Sequence, residues 1–282
     1  MEFHNILTIF QHGFRHGHPC VTKLLVTLQD IIHMYDEKHQ VDLAILDFSK
    51  AFDTVPHRRL LHKLQHYTIS NNTLAWNEAF LTHRVQKVVV EGETSDEVEV
   101  ESGVPQGTVL GPLLFLIFIN DLPEKVQSQV RLFADDCLLY RPIRSVEDQH
   151  QLQKDLTSLH EWADIWGMKF NPSKCYVLRI SRSKQPLEYF YELSNHILEQ
   201  VQENAYLGVL ISEDLKWSKH ITKTCKKATS ILAFLRRNLK GCPMELKSVA
   251  FSQNVKTFPK PVRVTYTQNS HCLLKVISKP FT

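Results

Sequence analysis

The run Val130–Tyr140 carries two short apolar stretches on either side of adjacent aspartates, Asp135 and Asp136. Apolar runs of this length bounded by polar residues are strand-sized, and two of them flanking a polar pair predict a hairpin with the aspartates at its turn. Short polar side chains favour tight bends, so the pair alone asks for nothing beyond a turn. A second carboxylate changes that. Val41–Phe48 is another strand-like run, and Asp47 lies at its end. If the two strands share a sheet, Asp47 meets Asp135 and Asp136 at one edge. Three carboxylates there raise each other's pKa unless a cation sits between them. Hard oxygen donors on short, fixed strands suit Mg²⁺, which completes its shell with water and phosphate oxygens. Two such ions about 3.5–4 Å apart can activate one oxygen and stabilise a leaving one in an in-line phosphoryl displacement. That is polymerase chemistry.

Three blocks stand in order along the chain: Leu46–Val55 (Leu-Asp-Phe-Ser-Lys-Ala-Phe-Asp-Thr-Val), Ser102–Pro112 (Ser-Gly-Val-Pro-Gln-Gly-Thr-Val-Leu-Gly-Pro) and Phe133–Asp136 (Phe-Ala-Asp-Asp). In wording, order and spacing they resemble successive catalytic motifs of the reverse transcriptases of non-LTR (LINE-type, jockey-like) retrotransposons. The resemblance implies an α+β fold, a right-hand polymerase palm of ferredoxin-like βαββαβ form with partial fingers and a truncated thumb. The expected division is partial fingers over 1–40, palm over 41–215, a thumb-like basic helix over 216–250 and a divergent tail over 251–282. The implied activity is RNA-directed DNA polymerisation, adding deoxynucleoside triphosphates to a DNA primer on an RNA template with two Mg²⁺ ions, or Mn²⁺ in their place.

The resemblance also assigns residues. Asp47, Asp135 and Asp136 become metal ligands, joined by the Phe48 carbonyl. Phe52 matches the aromatic beneath the incoming sugar, where a flat ring leaves room for a hydrogen but not for a 2′-hydroxyl; without that context it reads as a core aromatic. Gln106 and Gly107 line the pocket for nucleotide and template base. Lys174 falls near the pyrophosphate leaving group, where it can neutralise charge or donate a proton; a solvated loop lysine explains it equally well. Tyr206, Leu207 and Gly208 resemble the turn that grips the primer end. Asp53, after the strand's end, reads as a local cap or pairing partner.

Read on its own, the rest of the chain is helical in long stretches. Gln11–Arg15 resembles a fingers block that precedes a long helix, and Val21, Leu24, Leu25, Leu28, Ile31, Ile32 and Tyr35 have helical spacing. Basic residues that precede this block in the resembled family have no counterpart here. His16, His18 and Cys20 lack a second ligand cluster and read as surface groups. Leu60, Leu61, Leu64 and Tyr67 form a helical stripe opposite Arg58, Arg59 and Lys63, a face that is either solvated or phosphate-contacting. Residues 85–100 alternate as an acidic hairpin turning around Gly92–Asp96. Gly103–Gly107 is a turn-rich loop without the Gly-Lys-Ser/Thr ending of a P-loop, and Pro112 marks a helix start. Ser145–Asp148 has capping-box spacing before a stripe of Leu152, Leu156, Leu159, Trp162, Ala163 and Trp166, whose tryptophans read as core ahead of base-stacking platforms.

Beyond Trp217, Ile221, Cys225, Ala228, Ile231, Leu232 and Leu235 make a stripe crowded by Lys219, Lys223, Lys226, Lys227, Arg236, Arg237 and Lys240. A phosphate backbone neutralised there releases counterions and binds in a salt-sensitive way. The formal charge of the whole chain is only +3, so any nucleic-acid surface must be local. Helical periodicity fades from residue 252. Six scattered cysteines without a C-x-x-C pair point to free thiols in a reducing, intracellular compartment, nuclear or cytoplasmic. No apolar run reaches the ~18–20 residues of a membrane span, so no membrane partner is expected. Two functional classes remain: a polymerase, or a catalytically inactive retrotransposon-derived fragment that at most binds nucleic acid. A nuclease using the same carboxylates needs neither the Pro-Gln-Gly loop nor the primer-gripping block.

Overall fold

The computed structural model describes residues 6–256. The chain divides into two compact units, Met1–Leu207 with Ser212–Leu215, and Gly208–Ile211 with Lys216–Thr282.

The first unit is built on a five-stranded sheet. Its strands are β1 (Gln40–Leu46), β2 (Gln129–Phe133), β3 (Asp136–Ile143), β4 (Tyr176–Ile180) and β5 (Glu199–Val201), in the order β5-β4-β1-β3-β2. β1 is antiparallel to both β3 and β4, while β5 joins β4 in parallel. Every residue of β1 but Ile45 is buried, because both faces of the sheet are covered. On one face Ala44, Leu46, Val130, Leu132, Cys137 and Leu139 join the main core with Leu152, Leu156, Leu159 and Trp162 of helix α5 (Val146–Trp166). On the other lies helix α1 (Cys20–Asp36), tied down by Asp30, which accepts a 2.6 Å hydrogen bond from the Tyr140 hydroxyl and pairs with Arg131 at 2.5 Å. Helices α2 (His57–His66), α3 (Asn71–Leu81) and α4 (Leu110–Phe118) fill the crossover between β1 and β2.

Of the local signals for α5, the closing glycine operates as expected, while Ser145 at the N-terminus makes no side-chain capping bond and the capping box is only half formed. Asp148 accepts from the Arg144 amide at 3.0 Å, and Gly167 closes the helix at φ 72° with Met168 N–H bonded to Ala163 O. Trp162, 2% exposed, is core.

Four expectations are corrected by packing. Lys63 is not on a solvent face of α2: it is buried, donating to the Phe118 carbonyl and the Asp121 carboxylate. The buried face of α1 is Lys23, Thr27, Leu28 and Ile31, whereas Val21 is exposed. The acidic hairpin turns at Glu91–Gly92 and not across Gly92–Asp96: Val90 pairs with Glu93, and both turn residues have positive φ, the geometry of a two-residue type I′ turn. Helix α7 (Met244–Lys256) carries helical structure past residue 252, so only residues 257–282 of the expected tail fall outside the described residues. The hairpin's Val85, Val88, Val89, Val90 and Val98 are exposed.

The second unit holds α6 (Ser218–Asn238) and α7. No residue of α6 is buried, and Lys223, Lys226, Lys227, Arg236 and Arg237 are all exposed. Among the described residues, no helix is long and apolar enough to cross a membrane, and the five cysteines there are free.

Candidate active site

The register of the sheet sets the site. Leu46 lies opposite Cys137, so the next residue, Asp47, falls opposite Asp136. Leu46 and Cys137 both enter the main core, and the period-two alternation of strands turns their neighbours Asp47 and Asp136 to the other face. Phe133 pairs with Asp136, which leaves Ala134 and Asp135 as a two-residue turn. The three aspartates thus share one edge, as their positions in sequence suggest.

Their charges interact. The Asp136 carboxyl is pushed up to about 6 by burial of its inner side, then by the charges of Asp135 and Asp47. Burial also raises Asp135, against a bond from its own backbone, and Asp47 adds to the rise. The fold therefore favours protonated Asp136: the stability this lends is full below the ordinary carboxylate value and is lost as pH rises through about 6. In divalent-free buffer at pH 7.5, Asp136→Asn is expected to gain about 1 kcal/mol, the shift being discounted because the side chain is partly solvated. That corresponds to about 2–4 °C in Tm, shrinking to nothing by about pH 4. A thermal melt series across pH measures it; an Asn variant less stable than the parent at pH 7.5 contradicts the crowding.

A second segment buttresses Asp47 from behind. The Asn171 amide donates to the Asp47 carbonyl and the Ser49 amide to the Lys169 carbonyl, both at 2.8 Å, an isolated bridge that leaves the Phe48 carbonyl uninvolved. Phe48 itself is buried, its ring stacked on Phe170 at 4.3 Å. The short helix Pro172–Lys174 then carries the exposed Lys174 ammonium to 3.6 Å from the Asp47 carboxylate. Cys175, not singled out by its sequence context, accepts the Asp47 amide on Sγ at 3.4 Å.

The Gly-Val-Pro-Gln-Gly loop is laced to the turn after β1. Gly103 donates to Val55 O and Val104 to Phe52 O, each at 2.8 Å. Gly103 has φ 88°, and a Cβ there would lie 2.7 Å from Asp53 O, so only glycine fits. The Gln106 amide donates to the Asp53 carboxylate at 2.7 Å, so Asp53 ties the turn after β1 to a loop 53 positions away and is not the local cap or partner its position suggested. Gln106 and Gly107 stay exposed. Phe52 is half-buried, stacked on Phe115 at 4.4 Å and meeting exposed Phe14 edge-on at 6.1 Å.

Tyr206 ends the strand Glu203–Tyr206 and is buried, with its hydroxyl unpartnered and raised by burial and by nearby Asp136. Its side chain is therefore unavailable as a surface contact; Leu207 and Gly208, both at positive φ, form the accessible turn.

Among the described residues, no three His, Cys, Asp or Glu side chains close into a metal-holding cluster. The donor set nonetheless suits a hard divalent cation. It is all carboxylate, and Asp135 and Asp136 are raised by burial and then by neighbouring carboxylate charge, which a bound cation would relieve.

The protein is thus a mixed sheet-and-helix fold with three carboxylates at one edge of its central mixed sheet. Residues 1–211 match the family model described as reverse transcriptase (RNA-dependent DNA polymerase), and the chain belongs to that family. Its relatives are polymerases of non-LTR, LINE-type retrotransposons. The probable RNA-directed DNA polymerase from transposon X-element of Drosophila melanogaster is 33% identical over 232 residues, covering 79% of this chain and 25% of the relative. The RNA-directed DNA polymerase from mobile element jockey of Drosophila funebris is 30% identical over 222 residues, covering 76% and 24%. The chain thus spans about a quarter of the length of these relatives. A solved telomerase from Candida tropicalis, in complex with a fragment of telomeric RNA, shares the fold with a TM-score of 0.51 over 84% of this chain and 42% of that one, at 11% identity.

Proposed function

We propose that this chain is a reverse transcriptase, a palm with partial fingers and a thumb-like basic helix, that extends a DNA primer on an RNA template. The observation that carries this reading is the meeting of Asp47, Asp135 and Asp136 at one edge, where burial first, and neighbouring carboxylate charge second, raises two of them. The strand order supports it. In chain order β1, β2, β3 and β4 are connected as βαββαβ and lie fourth-first-third-second, the ferredoxin-like arrangement of a polymerase palm.

When bound, two Mg²⁺ ions, or Mn²⁺, supply charge neutralisation and activation of the primer hydroxyl. Asp47, Asp135 and Asp136 would hold them, with the Phe48 carbonyl as a further oxygen. Lys174, beside Asp47, faces the charge that leaves as pyrophosphate. Phe52, rigidly stacked on Phe115, is the floor against which a sugar's 2′ position is measured. Gln106 and Gly107 present an exposed rim to the nucleotide and template base. Leu207 and Gly208 offer backbone to the primer end. Lys223, Lys226, Lys227, Arg236 and Arg237 of α6, with Lys219, contact the phosphate backbone.

Primer extension on poly(rA)·oligo(dT) tests the reading. Extension with Mg²⁺, abolished by EDTA and restored by added Mg²⁺ or Mn²⁺, is the expected result. Salt-sensitive binding of the same duplex without extension would leave the second reading, an inactive fragment that keeps nucleic-acid binding.

A further inference from the structure

We infer that Gln11 is a positioning residue for the aspartate pair, its buried amide clasping the Ala134 backbone and so fixing the turn from which Asp135 and Asp136 project. The inference rests on the polymerase reading above. Gln11 is 1% exposed, and both ends of its amide are spent on this turn. Oε1 accepts from the Ala134 amide at 2.9 Å and from the Gly13 amide at 2.7 Å, while Nε2 donates to the Ala134 carbonyl at 3.2 Å. Ala134 needs such a clasp. It has φ 53° at the first central position of a two-residue turn, a place where glycine is the usual residue. A non-glycine residue held there is strained and persists only where its surroundings over-determine it.

The clasp is itself rigidly mounted. Phe10 O accepts from Leu132 N–H at 3.0 Å and His12 N–H donates to Leu132 O at 3.1 Å, so Gln11 bridges the outer edge of β2 beside the turn. The buried Lys23 ammonium donates to Phe10 O at 2.7 Å, and the Arg15 guanidinium to Gln11 O at 3.0 Å. Gly13 completes the fit: a Cβ there would lie 2.2 Å from the Ala134 nitrogen. Partners that orient metal ligands at one remove typically change metal affinity 10–100-fold when lost.

Mn²⁺ titration of the full chain, read by electron paramagnetic resonance of the free ion, separates positioning from mere stability without relying on turnover. Gln11→Met, similar in shape but unable to clasp, and Gly13→Ala, which wedges the turn, are each expected to weaken Mn²⁺ binding about 10-fold or more. Asn120→Leu is the structural control. Asn120 also secures the N-terminal segment, accepting from Thr8 N–H and donating to Ile6 O, both at 2.7 Å, but does not touch the turn. It is expected to lower Tm and leave Mn²⁺ affinity within about twofold. Gly13→Ala carries the test if the Met variant does not fold. Folded Gln11 and Gly13 variants that bind Mn²⁺ like the parent would overturn the inference alone. A parent chain that binds no Mn²⁺ would overturn the polymerase reading along with it.

Discussion

Asp135→Asn with Asp136→Asn is expected to reduce primer extension by at least about 10³-fold, because a metal-assisted displacement draws several kcal/mol from its ions and each 1.36 kcal/mol is a factor of ten. The amide keeps the shape of the carboxyl and removes its charge, so the fold survives. The raised carboxyl of Asp136 argues that the variant melts no lower than the parent in divalent-free buffer at neutral pH. Binding of the primer–template should stay within about threefold, since phosphate contacts come from basic side chains and not from the aspartates. Single-turnover extension and a salt-dependent duplex titration make the two measurements. Extension within about tenfold of the parent would remove the aspartates from the chemistry. A matching loss in duplex binding would point to a damaged fold.

How much of this was readable beforehand depended on the range of the interactions. Where neighbours in sequence settle the matter, the reading was sound. The apolar runs around Asp135 and Asp136 became β2 and β3, with the turn one residue earlier than expected, at Ala134–Asp135, and the leucine–tryptophan stripe became α5. The edge shared by Asp47 and the aspartate pair was legible only on the condition that their strands share a sheet, and the long-range pairing of Leu46 with Cys137 meets that condition. Side chains whose partners lie far along the chain were illegible. Gln11 bonds a backbone 123 positions away, and no local pattern distinguishes such a glutamine from a solvated one. Tyr206 sits in a block that resembles a primer-gripping turn, yet its ring is buried near Asp136. On the acidic hairpin, glycine and polar residues offered several turn positions, and only the Val90–Glu93 pairing settles on Glu91–Gly92.

Lys63 is the sharpest instance, and it carries the second large effect. In sequence it stands with Arg58 and Arg59 on what reads as the wet side of α2. In the structure its ammonium lies 2.5 Å from both Phe118 O and the Asp121 carboxylate, and 3.7 Å from the centre of the Trp166 ring. It thereby caps the C-terminal carbonyls of α4 and joins α2, α4 and α5 at one point. Burial lowers it to about 8, and Asp121 opposes that fall. Asp121→Ala strands a buried ammonium and also removes the acceptor of the Trp162 indole N–H. The expected loss is about 3–5 kcal/mol at pH 7, or on the order of 10 °C in Tm. The sign of the pH dependence follows from the lowered lysine. The cost of keeping it charged in the fold is full below about 8 and vanishes above its ordinary value. The variant's deficit should therefore narrow as pH rises from about 7 to about 10, when Lys63 is neutral in both proteins. Lys63→Met, which fills the aromatic cage without a charge, is expected to cost less than Asp121→Ala, and adding it to Asp121→Ala should restore part of the loss. Denaturant melts of the single variants and the double variant across pH decide the matter. A deficit for Asp121→Ala that is below about 1 kcal/mol, or constant with pH, would mean that the cage tolerates an unpaired ammonium and that α2 is held by its leucines alone.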